Sequence, residues 1–305
     1  MPIRSLASKA ALICAVALAQ PAPTLSQAPS APGKAVGTLI VAHGGGPAWD
    51  ARVEQIAAQV RLPGPVEVSF LMGPGAKTHR FQDAVADLTR RGAREIVVVP
   101  MLVSSHSGHY EQIRYLAGEA DTLDETMRHH LAMSGIERPG GGVPLRLTRA
   151  VDDAPEIADV LADRAKGLAK DPAHQALFLV GHGPNSAEDY AEWMANLRRV
   201  ADTVRARTGF RSVLLDLVRD DAPAQVREEA VARVRELIQL QHQLTRRDVV
   251  VVPVLISTGR VSTEKLPNDL KGLPISYTDE GLLPHSGMAR WVEARVRGAA
   301  GDVAS

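Results

Sequence analysis

The chain has 305 residues, 45% of them hydrophobic and 23% charged, with 35 Lys+Arg balanced by 35 Asp+Glu. At roughly 150 residues per domain two domains are expected, and the apolar share excludes a disordered polymer. Zero formal net charge and 4% aromatic residues exclude the basic stripe and the stacking platform of a nucleic-acid binder.

Residues 1–35 read as a signal peptide followed by a Pro/Ala-rich linker. Arg4 and Lys9 give a positive start, Ala10 to Ala19 form a short apolar run, and Ala17-Leu18-Ala19 offers a small-x-small cleavage site. The run is short for a bilayer span. The expectation is an exported, periplasmic or otherwise extracytoplasmic protein with no membrane span once the signal is removed, and a membrane-anchored one if it is not cleaved. Cys14, the single cysteine, lies in this segment. A mature chain would have no thiol, and so no intramolecular disulfide, thiolate metal site or cysteine nucleophile. The following PAPTLSQAPSAPGKA stretch is linker in composition.

From Gly37 onward, strand-like and helix-like segments alternate. LIVAHG ends a first strand at His43-Gly44. A helix-period stretch near Ala48 to Val60 and a strand over Val66 to Leu71 follow. An amphipathic segment from His79 to Arg91 stops at Gly92, and Glu95 to Pro100 (EIVVVP) is the β-branched run of a strand buried on both faces. A helix begins around His109, Pro144 to Leu147 is a short strand, and Pro155 to Leu168 closes the first lobe as a helix. The order then repeats. Ala176 to Gly183 (ALFLVGHG) echoes LIVAHG, Asp248 to Pro253 (DVVVVP) echoes EIVVVP, Leu273 to Tyr277 echoes Val143 to Leu147, and Trp291 lies in a closing helix. The expected fold is α/β, with two tandem flavodoxin-like lobes, each a four-stranded parallel sheet with helices on both faces. Lobe one spans 36–171, a degenerate lobe two spans 172–300, and 301–305 is a tail.

In such sheets ligands sit at the carboxyl ends of the strands, where strand order reverses. That rule sorts the ten histidines. His43 ends the first strand. His106 and His109 lie in the small-residue loop after the third, VSSHSGHYE, with Glu111 beside them. Imidazole is both a metal ligand and a proton acceptor near neutral pH, so His43, His106, His109 and Glu111 form a candidate metal or base site. Gly44 and Gly45 leave room for a ligand to approach the backbone. Ser104 and Ser105 read as turn residues along the same crevice. His182 repeats His43, but its partner loop, Val254 to Glu264, has no histidine; with His285 in GLLPHSG it is a secondary candidate. His129 and His130 read as solvated surface. A lipase-like reading of His43-Gly44-Gly45-Gly46 needs a G-x-S-x-G elbow, which the chain lacks.

LIVAHG, REIVVVPMLVSSHSGHYEQI, LTRAVDDAPEIADVLADR and GLLPHSGMARWVE together resemble the CbiX and sirohydrochlorin chelatases, the class II tetrapyrrole chelatases, in their long two-lobed form. The resemblance implies insertion of a divalent metal (Co²⁺, Fe²⁺ or Ni²⁺) as substrate into a sirohydrochlorin-type macrocycle, with no nucleotide. It makes His43 one catalytic histidine and leaves the other between His109, the better fit, and His106. It also implies a monomer whose partners are a tetrapyrrole and a metal ion, with Gly44, Gly45, Ser104, Ser105 and Arg260 against the macrocycle and Arg260 or Arg149 pairing its carboxylates. The alternative is an exported, non-catalytic metal or tetrapyrrole binder that uses the same site.

Overall fold

A computed structural model describes residues 35–301. The signal and linker expected over 1–35 and the tail at 301–305 lie outside the described residues, apart from Ala35 and Gly301. The first half runs β1 (Val36–Ala42), α1 (Pro47–Gln59), β2 (Val66–Phe70), α2 (Phe81–Arg90), β3 (Glu95–Met101), α3 (Gly108–Ala117), α4 (Glu125–Met133), β4 (Leu145–Leu147) and α5 (Pro155–Leu168). The second half runs β5 (Ala176–Gly181), α6 (Ala187–Thr208), β6 (Ser212–Leu217), α7 (Ala224–Thr245), β7 (Val249–Val254), α8 (Leu266–Asp269), β8 (Ile275–Tyr277) and α9 (Ser286–Gly301).

The strands form two four-stranded sheets, ordered β2-β1-β3-β4 and β6-β5-β7-β8, and every pairing is parallel. The sequence sets this arrangement locally. Ile96 to Val99 and Val249 to Val252 have no exposed surface, so these strands carry apolar side chains on both faces rather than alternating them, as central strands of helix-covered sheets do. Chain order reverses at β1/β3 in one sheet and at β5/β7 in the other. Each reversal opens a crevice at the carboxyl strand ends, and there lie His43, the β3–α3 loop and His182.

The helices correct one expectation. α5 follows lobe one in sequence but packs on β7 and α6 of the second sheet, whereas α9 packs on β1, β3 and α1 of the first. The closing helices are exchanged, so the two sheets share one apolar core, in which Ile157, Leu161, Trp291 and Val292 are buried with Leu39, Val98, Leu179 and Val250. Each helix is amphipathic enough to cover a sheet, and its connection carries it to the neighbouring one. The exchange ties the halves together.

Two further differences concern particular segments. The polar stretch holding His129 and His130 is α4, started by Asp124, whose side chain accepts from the Thr126 and Met127 amides, and His129 is exposed, as expected of solvated surface. His130 is half-buried, with an unpartnered buried Nδ1. In addition, α6, β6 and α7 fill the stretch between the two second-lobe motifs, where the two helices run 22 residues each. None of the described helices is long and apolar enough to cross a membrane.

Candidate metal centre

His43 leaves the end of β1 on a turn that requires glycine. Gly44 has φ +88, and a Cβ there would meet the Met72 carbonyl at 2.2 Å. This glycine is therefore needed for the turn itself. The His43 Nδ1 donates to the Gly44 carbonyl at 2.6 Å. A carbonyl only accepts, so the proton of neutral His43 sits on Nδ1 and Nε2 carries the lone pair.

His109 lies in the first turn of α3, whose N-terminus is capped by Ser107 accepting from the Tyr110 amide at 3.3 Å. Its Nδ1 is 2.8 Å from Oε1 of Gln112. Gln112 is fully buried and its Nε2 donates to the Met127 carbonyl at 2.7 Å, which fixes Oε1 toward the imidazole. His109 thus also donates from Nδ1 and keeps its Nε2 lone pair. The two rings meet edge to face, with centroids 4.5 Å apart and planes at 83°. Neither Nε2 has a protein partner among the described residues. A metal-ligating imidazole is oriented in this way, by a hydrogen bond on its other nitrogen.

The electrostatics agree with the geometry. Burial holds the His43 pKa below the ordinary histidine value, against the pull of its bond to Gly44. Burial and then the His43 ring push His109 down to about 4. Both rings are therefore neutral near pH 7, with two lone pairs available at one place.

The other sequence candidates separate. His106 turns away from this pair: its carbonyl accepts from Trp193 Nε1 at 2.7 Å, and its Nε2 lies 3.9 Å from Glu192 on α6. It joins the β3–α3 loop to the second half. Glu111 is not directed at the histidines either, because both its oxygens take Arg114 Nη1, at 2.9 and 3.1 Å. Ser104 Oγ accepts from the His106 amide at 3.1 Å. Ser105 Oγ donates to Asp152 at 2.7 Å and accepts from the Ala150 amide at 2.9 Å. These hydroxyls are engaged in building the loop, as expected of turn residues. Gly45 is exposed, and its amide donates to Asp50 at 2.9 Å. His285 accepts from the Gly287 amide at 3.0 Å and lies 3.2 Å from Asp163, a cap at the start of α9. Arg149 pairs with Asp152 at 3.2 Å. Arg260 is exposed and pairs with Glu264 at 3.1 Å, on the second-half loop whose Gly259 lies against Trp49 of α1.

Sequence reasoning missed two residues. Gln112 sits three positions after His109, a spacing that places both on one helix face. Asp152, fully buried with φ +48, accepts the Ser105 amide at 2.8 Å as well as its hydroxyl and so pins the loop from beyond β4.

The second-half His182 lies near enough to the histidine pair that its charge, when protonated, lowers the pKa of both His43 and His109, and Arg52 of α1 donates to the Thr258 carbonyl of the second half at 3.3 Å. A separate cavity of about 660 Å³, lined by Arg146, Asp153, Glu156, Trp291 and Arg295, contains none of these histidines.

The CbiX family model matches residues 37–168, which hold both members of the histidine pair. Among solved structures the chain is similar to SirB from Bacillus subtilis with Fe³⁺, at 17% identity over 88% of this chain and 97% of that one, TM-score 0.59. It is also similar to the sirohydrochlorin chelatase SirB from Bacillus subtilis subspecies spizizenii in complex with cobalt, at 19% identity over 88% and 96%, TM-score 0.52. A third match is DR2241 from Deinococcus radiodurans, a multi-domain protein with structural similarity to chelatases, at 21% identity over 86% of this chain and 55% of that one, TM-score 0.52. These likenesses establish a common fold. No curated protein matches.

Proposed function

We propose, because residues 37–168 match the CbiX family model, that this protein is a metal chelatase that inserts a divalent ion, Co²⁺, Fe²⁺ or Ni²⁺, into a sirohydrochlorin-type tetrapyrrole. The observation that carries the reading is the His43–His109 pair: two imidazoles, 4.5 Å apart, each with Nδ1 committed to a hydrogen bond and Nε2 free. Structures similar to this one hold Fe³⁺ or cobalt, and the pair offers this chain a place for such an ion.

The chemistry follows from charge balance. The macrocycle loses two pyrrole N–H protons as one divalent ion enters. The ion leaves two imidazole lone pairs as it passes to the ring nitrogens, and those lone pairs are then free to accept the two protons. Adjacent imidazoliums with depressed pKa values release their protons readily to water, which restores the neutral pair. The cleft between the sheet ends positions ring and ion together, with Arg260 on its rim for the substrate carboxylates. The fused halves make a monomer sufficient. Residues 1–35 act as export signal and linker, so the reaction runs outside the cytoplasm; the mass of the exported chain tests the cleavage.

The test is Co²⁺ insertion into sirohydrochlorin, followed by absorbance against the spontaneous rate. His43→Ala and His109→Ala are each expected to lower the enzymatic rate about 100-fold or more, since a ligand contributes at least as much as its supporting hydrogen bond. His106→Ala retains most of the activity. Tight Co²⁺ binding with no acceleration by the wild-type chain would instead identify a carrier.

A further inference from the structure

The second half has its own set of metal-ligating atoms, outside the His43–His109 pair. From its geometry we infer that His182 and Asp221, with Asp220 as a third ligand, form a second seat for a divalent cation, built from second-half residues. One ligand atom from each of the three residues lies within 4.8 Å of the others. His182 Nδ1 donates to the Gly183 carbonyl at 2.6 Å, the same lock that exposes Nε2 of His43. With Nδ1 so committed, the neutral ring points a lone pair from Nε2 at Asp221 Oδ2, 3.0 Å away. A lone pair facing a carboxylate at that distance is repulsive, so the contact requires a cation between them, either a proton or a metal ion. Nitrogen and oxygen ligands about 2.1 Å from one ion and 3.0 Å from each other subtend about 90°, a common angle at a divalent centre.

The acidic residues reach His182 through a local change in the repeated pattern. After β2, the amides of Leu71 and Met72 donate to Ala42 and His43. After β6, Val218 donates to Gly181 in the corresponding place, but it is Asp220, one residue further on, that donates to His182. The additional residue is Arg219, at φ +51. Met72 in the first half thus gives way to a bulged Arg219-Asp220-Asp221 in the second.

Asp220 is not free in this state. Its Oδ2 takes Lys265 Nζ and its Oδ1 takes Arg227 Nε at 3.3 Å. An ion held by His182 and Asp221 gains this third ligand when Lys265, a partly exposed side chain, swings out. The seat has its own ligands, so it stands or falls apart from the insertion reaction proposed for the first half.

The experiment is calorimetric titration of the full chain with Co²⁺ alone, with circular dichroism as a fold control. Wild type is expected to bind two ions, and His43→Ala/His109→Ala one. In that double-variant background, Asp221→Asn weakens the remaining ion about tenfold or more. Lys265→Met tightens it several-fold by releasing Asp220, a gain that misfolding cannot produce. Absence of any bound ion in that double variant overturns the seat, as does a remaining-ion affinity indifferent to Asp221→Asn, which is the result if a proton alone fills the contact. Loss of insertion in the first-half double variant with the second ion retained supports both proposals. Insertion that survives that variant removes the first-half reading and leaves this one intact.

Discussion

His43 and His182 occupy the same turn in two copies of one βα pattern. Each ends a central strand, each precedes a glycine at positive φ (+88 at Gly44, +86 at Gly183), and each donates Nδ1 to that glycine's carbonyl at 2.6 Å. They differ in what meets Nε2. In the first half Nε2 has no protein partner among the described residues, and the ring lies edge to face with a second neutral imidazole; in the second it faces a carboxylate. Burial opposes a charge on His182 as it does on His43, but the hydrogen bond and charge of Asp221 outweigh it and raise the pKa, and His182 in turn lowers that of Asp221. The repeated backbone therefore fixes where an imidazole points, and the loop that faces it fixes its charge state.

Removing the support behind His109 should affect the first half most and spare the second. Gln112→Met removes the acceptor that holds Nδ1 and leaves the Met127 carbonyl without its donor. Co²⁺ affinity at the first-half pair is expected to fall 10- to 100-fold, the range for lost outer hydrogen bonds at metal sites. The second-half seat, which has no contact with Gln112, should keep its affinity in the same titration. Equal losses at both would mean that the substitution disturbs the whole fold.

Asp152→Ala acts one step further out. The fully buried carboxylate holds both the amide and the hydroxyl of Ser105, so its loss leaves a buried donor unpaired at a cost of about 1–3 kcal/mol. Denaturant unfolding should show that loss, with a smaller fall in Co²⁺ affinity than Gln112→Met because the loop loosens while the His109 bond stays. Trp193→Phe removes the donor to the His106 carbonyl and should cost about 1 kcal/mol, read by the same melt.

How far these features were legible in the sequence depends on the range of the interaction. The two sheets, their parallel strands and the His43 turn follow from LIVAHG, EIVVVP and their repeats, because strand burial and a glycine turn are local properties. The choice between His106 and His109 depended on which one α3 turns toward β1 and which one Trp193 of the second half holds, and spacing cannot show that. The exchange of α5 and α9 was hidden for a similar reason: an amphipathic helix shows that it must cover a sheet but not which one. The Asp220-Asp221 pair was in plain sight after β6, but its meaning comes only from the one-residue bulge that brings it to His182.

The metal-free histidines of the two halves should titrate differently by NMR. His109 should protonate with a midpoint near 4 and His43 below the ordinary value of 6.5, whereas His182 should protonate above 6.5. The consequences for stability have opposite signs. The unfolded chain takes up protons at His43 and His109 before the folded one does, so their contribution is complete above pH 6.5 and is lost as the pH falls toward 4. His182 binds its proton more tightly when folded, so its contribution is complete below pH 6.5 and is lost as the pH rises through its raised value. Asp221→Asn should bring His182 down toward its first-half counterpart and leave the His109 midpoint near 4. If His182 kept its high midpoint without the Asp221 carboxylate, the facing loop would not be what sets the charge, and the difference between the halves would need another origin.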